Sequence, residues 1–192
     1  MSTFFDSEFD EHQAVAAATR SQLREPFERV LRVCVDAISQ GHKLFFFGNG
    51  GSAADAQHLA TELTIRYKRD RAPIAAIALT TDSSALTAAG NDLGFEKIFS
   101  RQLEALGRQG DVAIGITTSG KSPNVLAAFE VCRRVGITSV AFTGGTGGQA
   151  AVFANHALIV PSTTTARIQE MHITLGQMLC AGLEIELGLV AP

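Results

Sequence analysis

The sequence predicts an α/β protein: a five-stranded parallel sheet covered on both faces by helices, a three-layer αβα sandwich. Two observations predict it. Five short, almost continuously apolar runs are bounded by Gly, Pro, Asp or Thr, and segments with helical apolar spacing lie between them. Strands apolar on every residue are buried on both faces, which is how parallel sheets flanked by helices read.

The first element is helical, from about Asp10 to Gln40. Val15, Leu23, Phe27, Val30, Leu31, Val33 and Cys34 recur at helical spacing; Pro26 kinks or breaks the stretch, and Gly41 closes it. Lys43–Phe47 is the first strand, rich in phenylalanine. Further strands are expected at Ile74–Leu79, Val112–Ile116, Ser139–Phe142 and Leu158–Val160. Helices are expected at Ala53–Tyr67, Gly94–Leu106, Pro123–Val135, a short piece near Gln149–Phe153, and Thr165 to about Leu187. No linker or internal repeat interrupts this order, so residues 1–192 are read as one domain. Residues 1–40 form an N-terminal helical segment, and 41–192 form the αβα core with the C-terminal helix.

Composition narrows the function. A chain of 192 residues supports one full-sized core. The net charge of −3, with no basic stripe, argues against direct contact with nucleic acid. The N-terminus has no basic segment followed by a long apolar run, so neither a signal peptide nor a membrane span is expected. Cys34, Cys132 and Cys180 are scattered inside apolar patterns, as reduced core residues of a cytoplasmic protein would be.

Polar residues concentrate where strands end, the place where open parallel sheets bind ligands. The first strand runs into Gly48-Asn49-Gly50-Gly51-Ser52, which opens a helix. Glycines allow close backbone approach, and the unpaired N–H groups of a helix start favour an anion. The third strand runs into Thr117-Thr118-Ser119-Gly120-Lys121-Ser122-Pro123-Asn124. These hydroxyls and N–H groups suit a phosphate, although Ser122 as a plain helix N-cap is about as good a reading of the loop alone. Gly120-Lys121-Ser122 is read as part of this hydroxyl loop and not as a nucleotide P-loop. No acidic residue at the end of the second strand is read as a ribose partner, so no nucleotide cofactor is expected.

His58 and Glu62 are four residues apart and share a helix face. Such a pair is a weak metal signal and is often a surface ion pair. Gln169, Glu170 and His172 open the otherwise apolar last helix; a solvated first turn explains them as well. Asn91-Asp92, ahead of the expected Gly94 helix, reads as a plain cap.

Gly48-Asn49-Gly50-Gly51-Ser52, Gly90-Asn91-Asp92, Thr118-Ser119-Gly120-Lys121-Ser122 and Arg167-Ile168-Gln169-Glu170, in that order, resemble the sugar isomerase (SIS) domain of the phosphoheptose isomerase family. The resemblance covers essentially the whole chain. It implies an isomerase that converts sedoheptulose 7-phosphate to D-glycero-D-manno-heptose 7-phosphate, on the ADP-heptose route to lipopolysaccharide core. It also implies a homotetramer with active sites at subunit boundaries. Asn49, Gly50, Gly51, Ser52, Asn91, Asp92, Thr117, Thr118, Ser119 and Ser122 match the family's substrate and phosphate contacts, Thr117 standing where serine is common. Asp55 and Arg66 match polar positions near the site. His58, Glu62 and Gln169 match zinc-ligand positions; Glu62 also matches the catalytic base, and Gln169 is taken as a substrate contact too.

One position departs from the family. Its last zinc ligand and catalytic acid/base is a histidine eight residues after the glutamine, and Gln177 stands there. A carboxamide oxygen is a soft, uncharged offer to zinc and shuttles no proton near neutral pH. Gln177 is therefore carried as both catalytic and metal position, with weakened zinc binding and a slow or silent enzyme expected. The competing reading is a non-catalytic SIS tetramer that binds a partner such as the replication initiator DnaA, since a related SIS protein that associates with DnaA also lacks this histidine. A sugar-phosphate sensor domain of a transcription regulator is disfavoured, because no helix-turn-helix segment is read in the chain.

Overall fold

The computed structural model describes residues 2–191. Five strands form one parallel sheet in the order β2-β1-β3-β4-β5: β1 Leu44–Gly48, β2 Ala76–Ala78, β3 Val112–Ile116, β4 Thr138–Gly144 and β5 His156–Val160. Side chains alternate across the sheet. Leu44 and Phe46 face a layer built from α1 (Ser2–Gln22), α2 (Arg24–Ser39), α3 (Gly51–Thr64) and α8 (Thr165–Glu186). Phe45 and Phe47 face a second layer of α4 (Ser83–Asp92), α5 (Ser100–Leu106), α6 (Pro123–Val135) and α7 (Gly148–Phe153). The aromatic run after Lys43 thus feeds two cores at once. Phe47 packs on Phe99 and Phe129 with ring centroids 5.3 and 5.9 Å away.

The N-terminal helix begins at Ser2 rather than Asp10, and it breaks at Leu23. Pro26 explains the break. Its ring excludes a helical carbonyl four residues back, so the chain restarts with Pro26 in the first turn of α2, where its missing N–H costs nothing. The expected Gly94 helix is instead a 3₁₀ turn at Phe95–Lys97 followed by α5. α4 is unanticipated. It carries little apolar periodicity and buries only Ala89, but Asp82 caps it by accepting from the Ala85 N–H at 2.9 Å. Asn91 and Asp92 therefore end a helix and do not cap the next one. β2 is shorter than expected. β4 and β5 are longer, because they pair with each other from Val140–His156 to Gly144–Val160.

β1 and β3 are neighbours whose registers end together at Gly48 and Ile116. α3 leaves β1 toward one face and α6 leaves β3 toward the other. The chain therefore opens a crevice between them at the carboxyl end of the sheet.

Candidate active site

Both glycine- and hydroxyl-rich loops open onto that crevice. Gly50, at φ +57°, turns the chain from β1 into α3, a conformation that favours glycine. Ser52 is buried in the first turn of α3. Across the crevice, Ser122 occupies the N-cap position of α6, yet its hydroxyl makes no cap hydrogen bond. It lies 3.0 Å from the Thr117 hydroxyl instead, so the two form a hydroxyl pair, and the plain-cap reading fails. Gly120 has φ +64° and packs so tightly on the 144–148 loop that a side chain there would collide with the Gly147 carbonyl. Asn49 and Asn124 join the loops by reciprocal amide hydrogen bonds of 2.9 and 2.7 Å. Asn124 was not singled out from the sequence as a site residue; only the fold brings it opposite Asn49.

Residues Gly115 to Ser122 do spell the G-x-x-x-x-G-K-S pattern of a P-loop, so spacing alone does not exclude one. The structure does. Gly115 lies inside β3, wedged between the Phe129 and Phe47 rings, and the Ser122 hydroxyl is engaged by Thr117. With Gly115 and Ile116 inside β3, only residues 117–119 are loop between the two glycines, short of the four-residue span of a nucleotide P-loop. Asp82 follows β2 as a ribose-binding carboxylate would, but it is committed to capping α4.

A cleft of about 790 Å³ extends from the hydroxyl loop. Thr118, Ser119 and Lys121 line one side. The 162–165 loop and Glu11 line the other, with Glu11 accepting from the Thr164 hydroxyl at 2.6 Å. Glu11 was not anticipated, because nothing in the sequence shows that α1 is strapped to the start of α8. Arg167 adds to that strap by donating to the Glu8 carbonyl at 2.5 Å and pairing with the Glu8 carboxylate at 3.2 Å.

The second constellation lies where α3 and α8 pack side by side. His58 Nε2 is 2.9 Å from Glu62 Oε1 and 2.9 Å from the Gln177 amide. Gln169, two turns earlier on α8, reaches the start of α3, where a side chain on Gly51 would meet its amide nitrogen at 2.7 Å. Asp55 lies one turn before His58; partial burial raises its carboxyl, and the nearby His58 opposes the shift. His172 is fully buried and points away, its Nε2 3.1 Å from the Thr143 carbonyl, and burial lowers its imidazole to about 4. It is a structural histidine. Arg66 lies exposed just past α3. Asn91 and Asp92 hydrogen-bond to each other, and Asp92 lines a different cleft with Asp82 and Arg101. Within one chain they do not join the loops around Ser52 and Ser119.

The sequence matches the SIS domain family over residues 9–144. It is 58% identical over 182 residues to a phosphoheptose isomerase from Paramagnetospirillum magneticum, covering 95% of each chain. The chain belongs to the phosphoheptose isomerase family. The structure of phosphoheptose isomerase from Neisseria gonorrhoeae superposes with a TM-score of 0.90 at 40% identity, covering 95% of this chain and 98% of that one. A phosphoheptose isomerase from Francisella tularensis gives 0.91 at 35% identity, covering 94% and 96%. The phosphoheptose isomerase fold therefore extends over α8, beyond the SIS match, and so over Gln169 and Gln177.

Proposed function

We propose that this chain interconverts sedoheptulose 7-phosphate and D-glycero-D-manno-heptose 7-phosphate through an enediol, supplying the ADP-heptose route. The observation that supports the reading is a hydroxyl-lined loop between β3 and α6 together with an imidazole–carboxylate pair on α3, the helix that leaves β1 at the same crevice. The Thr118, Ser119 and Ser122 hydroxyls and the Ser52 turn hold the phosphate, which places the far end of the sugar. Asn49–Asn124 locks the two loops in one geometry. Glu62 takes the C1 proton, and the proton returns at C2. Asp55, Arg66 and Gln169 contact the sugar.

The donor set at His58 fits a loosely held divalent ion. One ring nitrogen cannot both donate to Glu62 and accept from a Gln177 N–H. Turning the Gln177 amide removes the conflict and brings one nitrogen and two oxygens to a common point. His58, Glu62, Gln177 and Gln169 would hold zinc there. Among the described residues no group of three or more His, Cys, Asp or Glu converges, so carboxamides complete the set and binding is weak. Such an ion would polarise the substrate carbonyl and stabilise the enediolate. No nucleotide cofactor is required for this chemistry.

We further propose a homotetramer in which α1 and α8 pack between subunits. Phe4, Phe5 and Phe9 stand exposed on α1, and an apolar groove of about 530 Å³ runs between α1, α2 and α8. The tetramer would bring Asn91 and Asp92 of one copy to the site of another. A cytoplasmic location is supported by three buried cysteines, none in a disulfide. Among the described residues no helix is long and apolar enough to cross a membrane.

The deciding experiment is an isomerase assay with sedoheptulose 7-phosphate, with and without zinc. Appearance of the aldose phosphate supports the reading. No conversion by this chain or by Gln177→His overturns it in favour of a non-catalytic tetramer, and a DnaA pull-down then tests that role.

A further inference from the structure

Arg71 lies in the irregular connection between α3 and β2, in a stretch that looks like an ordinary charged loop, Lys68-Arg69-Asp70-Arg71. Its side chain is nevertheless 1% exposed, and its partner Glu184, on α8, is 3% exposed. Nε donates to Glu184 Oε1 at 2.8 Å, and the same carboxylate oxygen accepts from the Tyr67 N–H at 3.2 Å. The rest of the fork is spent on the end of α3. Nη2 donates to the Glu62 carbonyl at 2.7 Å, and Nη1 to the Leu63 carbonyl at 2.8 Å. The last carbonyls of a helix have no partner of their own, and a cation there also complements the helix dipole. A planar guanidinium meets several such acceptors at once, which an ammonium cannot do.

The residue whose carbonyl Nη2 holds is the one proposed to take the substrate proton. We propose that Arg71, clamped by buried Glu184, is a positioning residue for Glu62. By tying off the last turn of α3 it holds the Glu62 carboxylate against His58. The clamp also joins the end of α3 to α8, the helix that carries Gln177, so one buried ion pair sets the spacing of both sides of the constellation. This inference rests on the reading of Glu62 as the base. A buried pair of this kind is a poor source of net stability, because desolvation offsets much of the attraction. Its geometric role is the more specific consequence.

The test measures the first half of the reaction alone: exchange of the C1 proton of sedoheptulose 7-phosphate with D2O, followed by NMR. It is run on the full chain as wild type, Gln177→His, Glu62→Gln, Arg71→Lys and Glu184→Gln. Lysine keeps a charge opposite Glu184 but loses the fork. Arg71→Lys should therefore slow exchange about 10- to 100-fold, as an ångström-scale misplacement does, with KM within about twofold because the phosphate cradle is untouched. Hydrogen–deuterium exchange of the peptide spanning residues 61–66 should rise in parallel. If Arg71→Lys does not fold, Glu184→Gln carries the test, with several-fold slowing at unchanged KM. Wild-type kcat in the folded variant overturns the proposal and leaves a purely structural capping residue. Glu62→Gln exchanging as fast as wild type overturns the reading of the base itself, and so does the absence of exchange in both the wild type and Gln177→His. Exchange abolished by Glu62→Gln but untouched by Arg71→Lys or Glu184→Gln overturns the clamp alone.

Discussion

A carboxamide at position 177 exchanges no proton near neutral pH, whereas an imidazole does. Gln177 touches His58 at 2.9 Å, so it stands inside the constellation. Gln177→His should then raise turnover by about 10²- to 10⁴-fold, the usual contribution of a positioned acid or base, and should tighten zinc binding in equilibrium dialysis. Equal rates would move the acid elsewhere. If the hydroxyl loop is the proposed anion cradle, Ser119→Ala and Ser122→Ala should each weaken sugar-phosphate binding by about 1 kcal/mol per lost hydrogen bond, read by calorimetry. His172 governs a different property. Its imidazole is near 4 in the folded chain, against 6.5 ordinarily, because burial disfavours the cation. The unfolded chain therefore binds the extra proton first. The stability that neutral His172 contributes is present above pH 6.5 and is lost as pH falls toward about 4, to the extent of about 3 kcal/mol. Melting temperatures of His172→Gln, whose amide still donates to Thr143, should fall less steeply over that window than those of wild type.

Elements differ in how openly the sequence announces them. Strongly periodic or wholly apolar segments were legible: the Phe45–Phe47 strand, α6 from Pro123, and α8 to within a residue of its end. α4 was not, because Ser83–Asp92 spends its alanines against a shallow surface and only the Asp82 cap marks its start. The crowding of glycines and hydroxyls at the ends of β1 and β3 was legible from residue type, and glycine is what the positive φ at Gly50 and Gly120 favours. Contacts between elements far apart in sequence were not. Asn124 opposite Asn49, Glu11 against Thr164, and Arg71 beneath Glu62 all depend on which helix packs where. Gly120 shows such a contact at one loop. Gly120→Ala would force a side chain to φ +64° and against the Gly147 backbone. It should cost about 1–3 kcal/mol in a denaturant melt, and it should weaken sugar-phosphate binding because the Ser119 loop must move.

At the scale of the whole molecule, the exposed phenylalanines of α1 and the groove beside it leave apolar surface that a single chain does not cover. Light scattering at micromolar concentration should report a tetramer. Replacing Phe5 and Phe9, whose tilted rings have centroids 4.8 Å apart, with serine should shift the mass downward and reduce turnover together if Asn91 and Asp92 act in a neighbour's site. The reciprocal Asn49–Asn124 bridge has a consequence on a much slower clock. Asn49 is followed by Gly50, and a glycine on that side exposes the asparagine carbonyl to attack by the next backbone nitrogen, the route of spontaneous deamidation. While the bridge holds, the Asn49 amide is pinned and that attack is hindered. Once it slips, the amide can become a carboxylate, one of the two hydrogen bonds is lost, and a negative charge appears beside the site proposed for the phosphate. The catalytic lifetime of an old molecule is then set by how seldom two amides let go of each other.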